Sequence, residues 1–553
     1  MLRGYDQPGA HVLLLTLLWA VLCLPALGVP SLWDIDEGNN LECVREMLQA
    51  DNWVVPTFNY QLRTDKPALL YWLQIGATKL VGLNEWAARL PSALAVLLTL
   101  WIVYGLGMRM FSPRVALLGS LVLLTAPGVV AAGHFANPDA VLLACTTAAL
   151  GLFWDDYARG GRGWLGGVGL CAGLGVLAKG PVGFVLPAAV AFLFLAFRGE
   201  LRRLLDGRVL GLLGAVVLVA APWYGWVAAE TRGVWVREFL YVHNFKRASG
   251  VMENHGGPFF YYLLVLMPGL LPWSLFLGPA IWLSCKQQRT EPAVSFLQIW
   301  AGVYLVVFSL AQTKLPNYIL PAYPALALLV GRYLERWLAG ESFVPDWLER
   351  VGLVGLALAG VAVLVALLLL GGFHPPAVLR SRVIEGLLPW AALGLIWTAT
   401  AALASWFQDQ GRRPAVLGTL ASGAALFLLL VGVGLLPTLE ASKATKKLAN
   451  ALPPDHHQRE VRLLAWEYFQ PSLVFYCQRE IQRVDHLEGL VSLLNLPQET
   501  YAFLPERRIA GLQQRTQAFD VLARHKDLYS GKTIVLIGNR VLDYGSGVVH
   551  QVP

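Results

Sequence analysis

The chain has 553 residues, of which 56% are hydrophobic and only 14% charged, with a formal net charge of +7. A soluble chain carries about 25% charged residues, so an ordinary soluble domain is excluded. The positive excess sits as Arg in short loops between apolar stretches, where it records membrane topology; nucleic acid is excluded as a partner.

Apolar stretches long enough to cross about 30 Å of hydrocarbon recur along most of the length and predict roughly thirteen spans. They lie near 11–29, 87–108, 115–133, 139–155, 164–179, 182–197, 209–228, 259–283, 294–312, 319–338, 352–372, 388–407 and 415–437. The fold class is therefore an all-α polytopic membrane protein over residues 1–437, followed by a small α/β domain at 438–553. The first span ends in "LPALG", as a cleaved signal peptide does. Its length, and Trp33 as an interfacial end, favour an uncleaved anchor.

Orientation follows from the basic loops. Arg109 and Arg114, Arg159 and Arg162, Arg198 to Arg208, Lys286 and Arg289, and Arg412 and Arg413 belong on the cytoplasmic side. Loops 30–86, 134–138, 229–258, 313–318 and 373–387 then face outward, as does everything after about residue 438. These outer loops are long and hold most of the His, Tyr and paired carboxylates, so the chemistry faces outward. In the tail, "VRLLAWEYF", "SLVFYC", "TYAFLP" and "TIVLIG" read as strands, and Gln513–His525 as a helix. Cys43 and Cys477 are the two thiols placed to meet an oxidising compartment, and a disulfide between them is one possibility. No CxxC or Cys/His zinc spacing is present.

The first outer loop opens with "SLWDIDEGNNLECVREML". Leu41, Val44 and Leu48 recur on one face, which predicts a short amphipathic helix lying on the membrane. Asp36 and Glu37 stand at its start, either as acids that complement the helix dipole or as reactive carboxylates. "RTDKPALLYWL" places Arg63, Asp65 and Lys66 at the mouth of a second helix, as snorkelling charges or as ligands. Asp139 in "GHFANPDAVLL" and Lys179 in "LAKGPVGFVLP" lie within apolar runs, and each requires a partner. "YVHNFKRASGVMENHGGPFFYY" supplies His243, Arg247 and His255. "SLAQTKLPNYILPAYP" supplies Lys314, Tyr318 and Tyr323. Several cationic junctions with acids on one face describe a pocket for an anionic substrate whose greasy part stays in the bilayer.

These stretches resemble the GT-C superfamily of polyprenyl-phosphate-sugar glycosyltransferases. The likeness is to the branch holding the protein O-mannosyltransferases and the lipid A aminoarabinose transferases. It rests on Asp36–Glu37 followed by "REML", Lys66–Pro67, "RLPSAL" from Arg89, "NPD" at Asn137–Asp139 and "AKGPVG" from Ala178. It continues through "PWY" at Pro222, "HGGPFFYY" from His255 and "TKLPNYILPAYP" from Thr313. The chain differs in having Asn39 and Asn40 where that branch shows an Arg and an aromatic after its acidic pair, and Asp65 where it shows Glu.

The resemblance implies transfer of a sugar such as 4-amino-4-deoxy-L-arabinose from an undecaprenyl-phosphate carrier to lipid A or a similar acceptor at the periplasmic face of the inner membrane. A monomer is expected. It implies substrate binding by Lys66, Arg63, Lys179, Arg247, Lys314, Tyr318 and Tyr323. It also implies a divalent metal ion (Zn, Mg or Mn) on Asp65 with His243 or His255. Asp36 is the first candidate for a base toward a hydroxyl acceptor and Asp139 the second, with Glu37 beside them. With a phosphate acceptor no base is needed, and the acids orient the sugar instead. Transfer to a protein or another glycan is the alternative. So is a flippase for a lipid-linked sugar, although such a transporter tends to show inverted repeats.

Overall fold

The computed structural model describes residues 7–246, 250, 256–341 and 343–540. Each stretch expected to span is helical. Among the described residues, six helices are long and apolar enough to cross a membrane, or eight if each of two bent pairs counts as one span. Further expected spans are the shorter helices α1 (Pro8–Cys23), α8 (Leu165–Lys179) and α9 (Val182–Arg198). Between them in sequence come α4 (Glu85–Met110), α5 (Pro113–Leu124), α6 (Pro127–His134) and α7 (Asp139–Ala158), with α10 (Arg208–Glu230) following. The axes of α5 and α6 differ by 60° at Pro127, which has no N–H to continue the helix ladder.

Small residues let the helices approach closely. A Cβ at Gly169 of α8 would stand 2.1 Å from the Leu212 carbonyl oxygen of α10, the kind of contact that substitutes for hydrophobic association inside lipid. The helix α1 is fastened to α4 by Trp19 Nε1 donating to the Ala93 carbonyl at 3.0 Å. The adjacent helices α7 and α8 are joined by a short loop. That arrangement brings the first residue of α7, Asp139, to the last residue of α8, Lys179.

Loop 30–86 holds α2 (Asp36–Gln49), a hairpin of β1 (Thr57–Phe58) and β2 (Gln61–Leu62), and α3 (Leu69–Val81). The helix α2 does not lie on the membrane as its apolar face predicts. It is covered by the C-terminal domain, and its polar residues Glu42, Arg45 and Glu46 are buried as well. Arg45 pairs with Glu42 at 2.7 Å, so the polar side of α2 satisfies itself locally. Gly38 permits the contact, since a Cβ there would stand 2.3 Å from the Ser472 nitrogen.

The C-terminal domain is a five-stranded sheet of order β4-β3-β5-β7-β6. Its strands are β3 (Arg462–Trp466), β4 (Ile481–Val484), β5 (Thr500–Pro505), β6 (Phe519–Lys526) and β7 (Thr533–Asn539). Two expectations fail here. "SLVFYC" is part of a helix, Pro471–Cys477; a continuous apolar run has no period that separates strand from helix, and Pro471 at the first turn opens a helix. Most of Gln513–His525 forms β6 rather than a helix. The exposure of β6 alternates from Phe519 to Lys526, and it pairs antiparallel with β7. Cys43 and Cys477 are buried free thiols, so the disulfide is absent.

Hydrogen bonds and ion pairs tie the two domains together, among them three at Asp34, Glu85 and the Ser31–Leu32 backbone. Ser472 donates to Asp34 through its backbone N–H at 2.7 Å and its hydroxyl at 2.5 Å. Lys446 pairs with Glu85 at 2.6 Å. Lys443 is fully buried and donates to the carbonyls of Ser31 and Leu32 at 2.6 and 2.7 Å; burial pushes its ammonium down to about 8.

Candidate active site

Asp139 begins α7 and Lys179 ends α8, positions where the helix dipoles favour an acid and a base respectively. They form an ion pair. Asn317 donates from Nδ2 to the second Asp139 oxygen at 2.6 Å. The Lys179 ammonium also lies 4.9 Å from the centre of the Tyr318 ring. The two charges that required partners in an apolar environment are therefore partners of each other. Sequence reasoning assigned them separate roles and passed over Asn317, although "TKLPNYILP" contains it.

A second cluster forms where loop 30–86 meets the π-helical turn Phe239–Lys246. Asp65 Oδ2 is 3.2 Å from Arg63 and Oδ1 is 3.1 Å from His243 Nε2. Arg63 is buried, and Trp235 Nε1 donates to its carbonyl at 2.7 Å. Burial opposes the Arg63 charge, but Tyr71, Cys43, Asp65 and Asp36 around it more than offset this and hold its pKa above the ordinary range. Asp36 itself is exposed at the start of α2.

The two clusters open onto one cavity of about 190 Å³. Asp65, Lys66, Lys179, His243 and Tyr318 contribute its polar wall, and Leu142, Val182, Leu186, Phe239, Val307 and Phe308 are among its apolar lining. An apolar chamber with Lys66 and Lys179 in its polar wall suits an amphiphilic anion.

Other expected site residues lie elsewhere. Glu37 is fully buried: Oε2 accepts from Arg89 at 2.6 Å and from the Trp33 N–H at 2.8 Å, and Oε1 accepts from the Ala136 N–H at 2.7 Å. It faces the protein interior, not the cavity, because Arg89 draws it inward. Lys314 directs its ammonium to the carbonyls of Ser309, at 2.8 Å, and Ala311, where it caps the helix Pro292–Leu310. Cations favour that helix end. Tyr323 is buried in the helical core, with its hydroxyl near Gly128 and Gly269. Arg247 and His255 lie outside the described residues.

For the implied metal, the donor set is one carboxylate oxygen and one imidazole nitrogen, Asp65 and His243, adjacent and opening onto the cavity. Among the described residues no group of three or more His, Cys, Asp or Glu side chains could hold an ion. The pair offers two donors, so an ion there would take its remaining ligands from phosphate oxygens and water.

Residues 65–226 match the family model described as dolichyl-phosphate-mannose-protein mannosyltransferase. Over 400 residues the chain is 32% identical to an undecaprenyl phosphate-alpha-4-amino-4-deoxy-L-arabinose arabinosyl transferase from Erwinia tasmaniensis, covering 70% of this chain and 71% of that one. Over 465 residues it is 30% identical to the protein of the same name from Edwardsiella ictaluri, covering 80% and 82%. The crystal structure of ArnT from Cupriavidus metallidurans bound to undecaprenyl phosphate shares the fold, with a TM-score of 0.78 at 24% identity over 96% of this chain and 97% of that one. The relatives, the family model and the shared fold together define a multi-pass membrane glycosyltransferase of the polyprenyl-phosphate-dependent GT-C class. Within that class, the chain belongs to the undecaprenyl phosphate-alpha-4-amino-4-deoxy-L-arabinose arabinosyl transferase family.

Proposed function

We propose that the protein transfers 4-amino-4-deoxy-L-arabinose from undecaprenyl phosphate to a phosphate of lipid A, at the periplasmic face of the bacterial inner membrane. The observation that carries this reading is the apolar cavity with Lys66, Lys179 and the Asp65–His243 pair along its polar wall. The names of the relatives supply the sugar and the carrier. The basic loops, on the side opposite the cavity loops, supply the orientation.

In the proposed reaction the bond between the sugar C1 and the carrier phosphate oxygen breaks, and its electrons stay on that oxygen. An acceptor phosphate oxygen forms the new bond to C1 from the opposite face. No proton has to be removed, because the acceptor phosphate is already ionised at neutral pH. Lys66 and Lys179 place fixed positive charge where the departing phosphate gains negative charge, so they act more strongly on the transition state than on the bound donor. Asp139 and Asn317 hold Lys179 in place. Asp36, exposed beside Arg63, orients the sugar by pairing with its amine. Asp65 and His243 would hold a divalent ion, whose chemistry is Lewis-acid polarisation of phosphate oxygens.

Acceptor competition tests the reading. The purified protein in detergent is given labelled undecaprenyl-phosphate-aminoarabinose with lipid A or with lipid A stripped of its phosphates. Label should enter only phosphorylated lipid A. Equal labelling of both, or labelling of a protein acceptor instead, would overturn the assignment.

A further inference from the structure

Away from the cavity, the tip of the β1–β2 hairpin meets the edge of the C-terminal sheet. Asn59 and Tyr60 form the tip, both in the left-handed region, with φ of 53° and 60°. Non-glycine residues rarely adopt this conformation, and the surrounding contacts must maintain it. Asn59 does so by pairing with β4: its Nδ2 donates to the Ile481 carbonyl at 3.1 Å, and its Oδ1 accepts from the Ile481 N–H at 2.9 Å. Tyr60 is held by the Glu46 carboxylate on its N–H at 3.0 Å and by Arg45 on its hydroxyl at 3.2 Å.

Beside this contact is a cleft of about 440 Å³, lined by Tyr60, Arg462, Arg479, Glu480, Gln482 and Gln498 among others. Neither arginine has a carboxylate partner among the described residues. The nearby acids Asp455 and Glu499 are taken by Arg459, at 2.8 and 2.9 Å. Arg479 donates to the carbonyls of His456 and Arg459. Arg462 Nη1 is sealed from solvent without a hydrogen-bond partner among the described residues. Such an orphan N–H is costly. His457 falls below its ordinary pKa through burial and through His456, Arg479 and Arg45, which marks the surroundings as cationic. Against these cations stands one acid in the lining, Glu480.

The geometry points to a binding site for an anionic saccharide in this cleft. The two guanidiniums meet a phosphate or carboxylate, and the Gln amides and Tyr60 meet sugar hydroxyls. The site touches the hairpin three residues before Arg63, so an occupant steadies the hairpin that leads into the loop carrying Arg63, Asp65 and Lys66. The ligand is either a soluble sugar phosphate or the anionic sugar of a membrane glycolipid.

The full chain in nanodiscs distinguishes these sources. Saturation-transfer NMR reads binding of glucose 6-phosphate, with neutral glucose as the control. A parallel binding assay uses nanodiscs doped with a lipid-anchored saccharide phosphate. Arg462→Gln removes one charge, and Gln482→Glu puts a repelling charge into the cleft from an exposed strand position. Each should weaken binding about tenfold or more, the worth of one charge-assisted hydrogen bond. Binding of either probe that falls in both variants supports the site and identifies the source. Binding of neither probe, or binding that both variants leave unchanged, overturns it.

Discussion

Glu37 and Arg89, 52 residues apart in sequence, form a fully buried ion pair that joins the start of α2 to the start of α4. Arg89 also donates to the carbonyls of Leu27, Pro30 and Ser31, at 2.7, 2.8 and 3.0 Å. Glu37 reaches the Ala136 N–H, three residues before Asp139. One pair thus fixes both segments that carry the candidate acids. Removing a single partner leaves an uncompensated buried charge, which typically costs about 3–5 kcal/mol. Glu37→Gln is expected to lower the thermal midpoint sharply and to lower activity only as far as folded protein is lost. A stable but inactive Glu37→Gln would return this residue to the chemistry.

Asp34 gives a pH dependence of defined sign. Burial raises its pKa to about 6 from 3.8, although both Ser472 hydrogen bonds work in the other direction. The folded state therefore prefers the protonated acid. The contribution of Asp34 to stability is largest below about pH 4, falls as pH rises toward 6, and is constant above that. Since each tenfold change in acidity is worth about 1.4 kcal/mol, the swing is roughly 3 kcal/mol. Asp34→Asn keeps an acceptor for Ser472 and removes the titration. Its melting temperature should vary less than wild type between pH 4 and 7, and at pH 7 it should be the more stable protein. Identical pH profiles for the two would remove Asp34 from the account.

Asp36 is separated from Asp34 by this same geometry. It is exposed at the head of α2, with no side-chain cap on the helix start. A pure capping acid would tolerate Asn, which caps as well as Asp. An acid that orients a sugar amine needs its charge. Asp36→Asn should fold and bind the carrier, yet lose about 10²-fold or more in transfer, on the scale of misplacing a bound substrate. Transfer rates of Asp36→Asn and Asp34→Asn measured together make the comparison, and equal small effects would leave only the capping role.

The Asp65–His243 pair makes a prediction about metal. Chelation should depress transfer by wild type, and added Zn, Mg or Mn should restore it. His243→Ala and Asp65→Asn should each show the depressed rate with or without chelator, and should bind less metal by elemental analysis. Wild-type transfer that survives exhaustive chelation would leave these two residues as a hydrogen-bonded pair only.

Much of this was legible in the sequence because lipid imposes simple rules. Apolar length revealed the helical segments, and charges inside apolar runs singled out Asp139 and Lys179 before any contact was known. Their pairing was not legible, because it depends on how α7 and α8 pack, and no local pattern encodes that. The same gap hid the fate of Glu37. Adjacent acids look alike in a string, while a helix turns one outward and the next toward Arg89. Lys314 and Tyr323 sit in the right motif, but one turns to cap a helix end and the other into the core. The burial of α2 was missed because its partner surface lies more than four hundred residues away, at Ser472.

The most direct test of the central claim is the transfer rate to lipid A, measured for wild type and Lys66→Ala side by side with defined undecaprenyl-phosphate-aminoarabinose. Lys66 lines the cavity, and the proposed mechanism sets the departing phosphate beside it. Loss of one preorganised charge stabiliser costs about 10²–10³ in rate. The account predicts lipid A carrying the added sugar from wild type, and a fall of that size in a Lys66→Ala protein that melts as wild type does. A Lys66→Ala protein that transfers at the wild-type rate would contradict it.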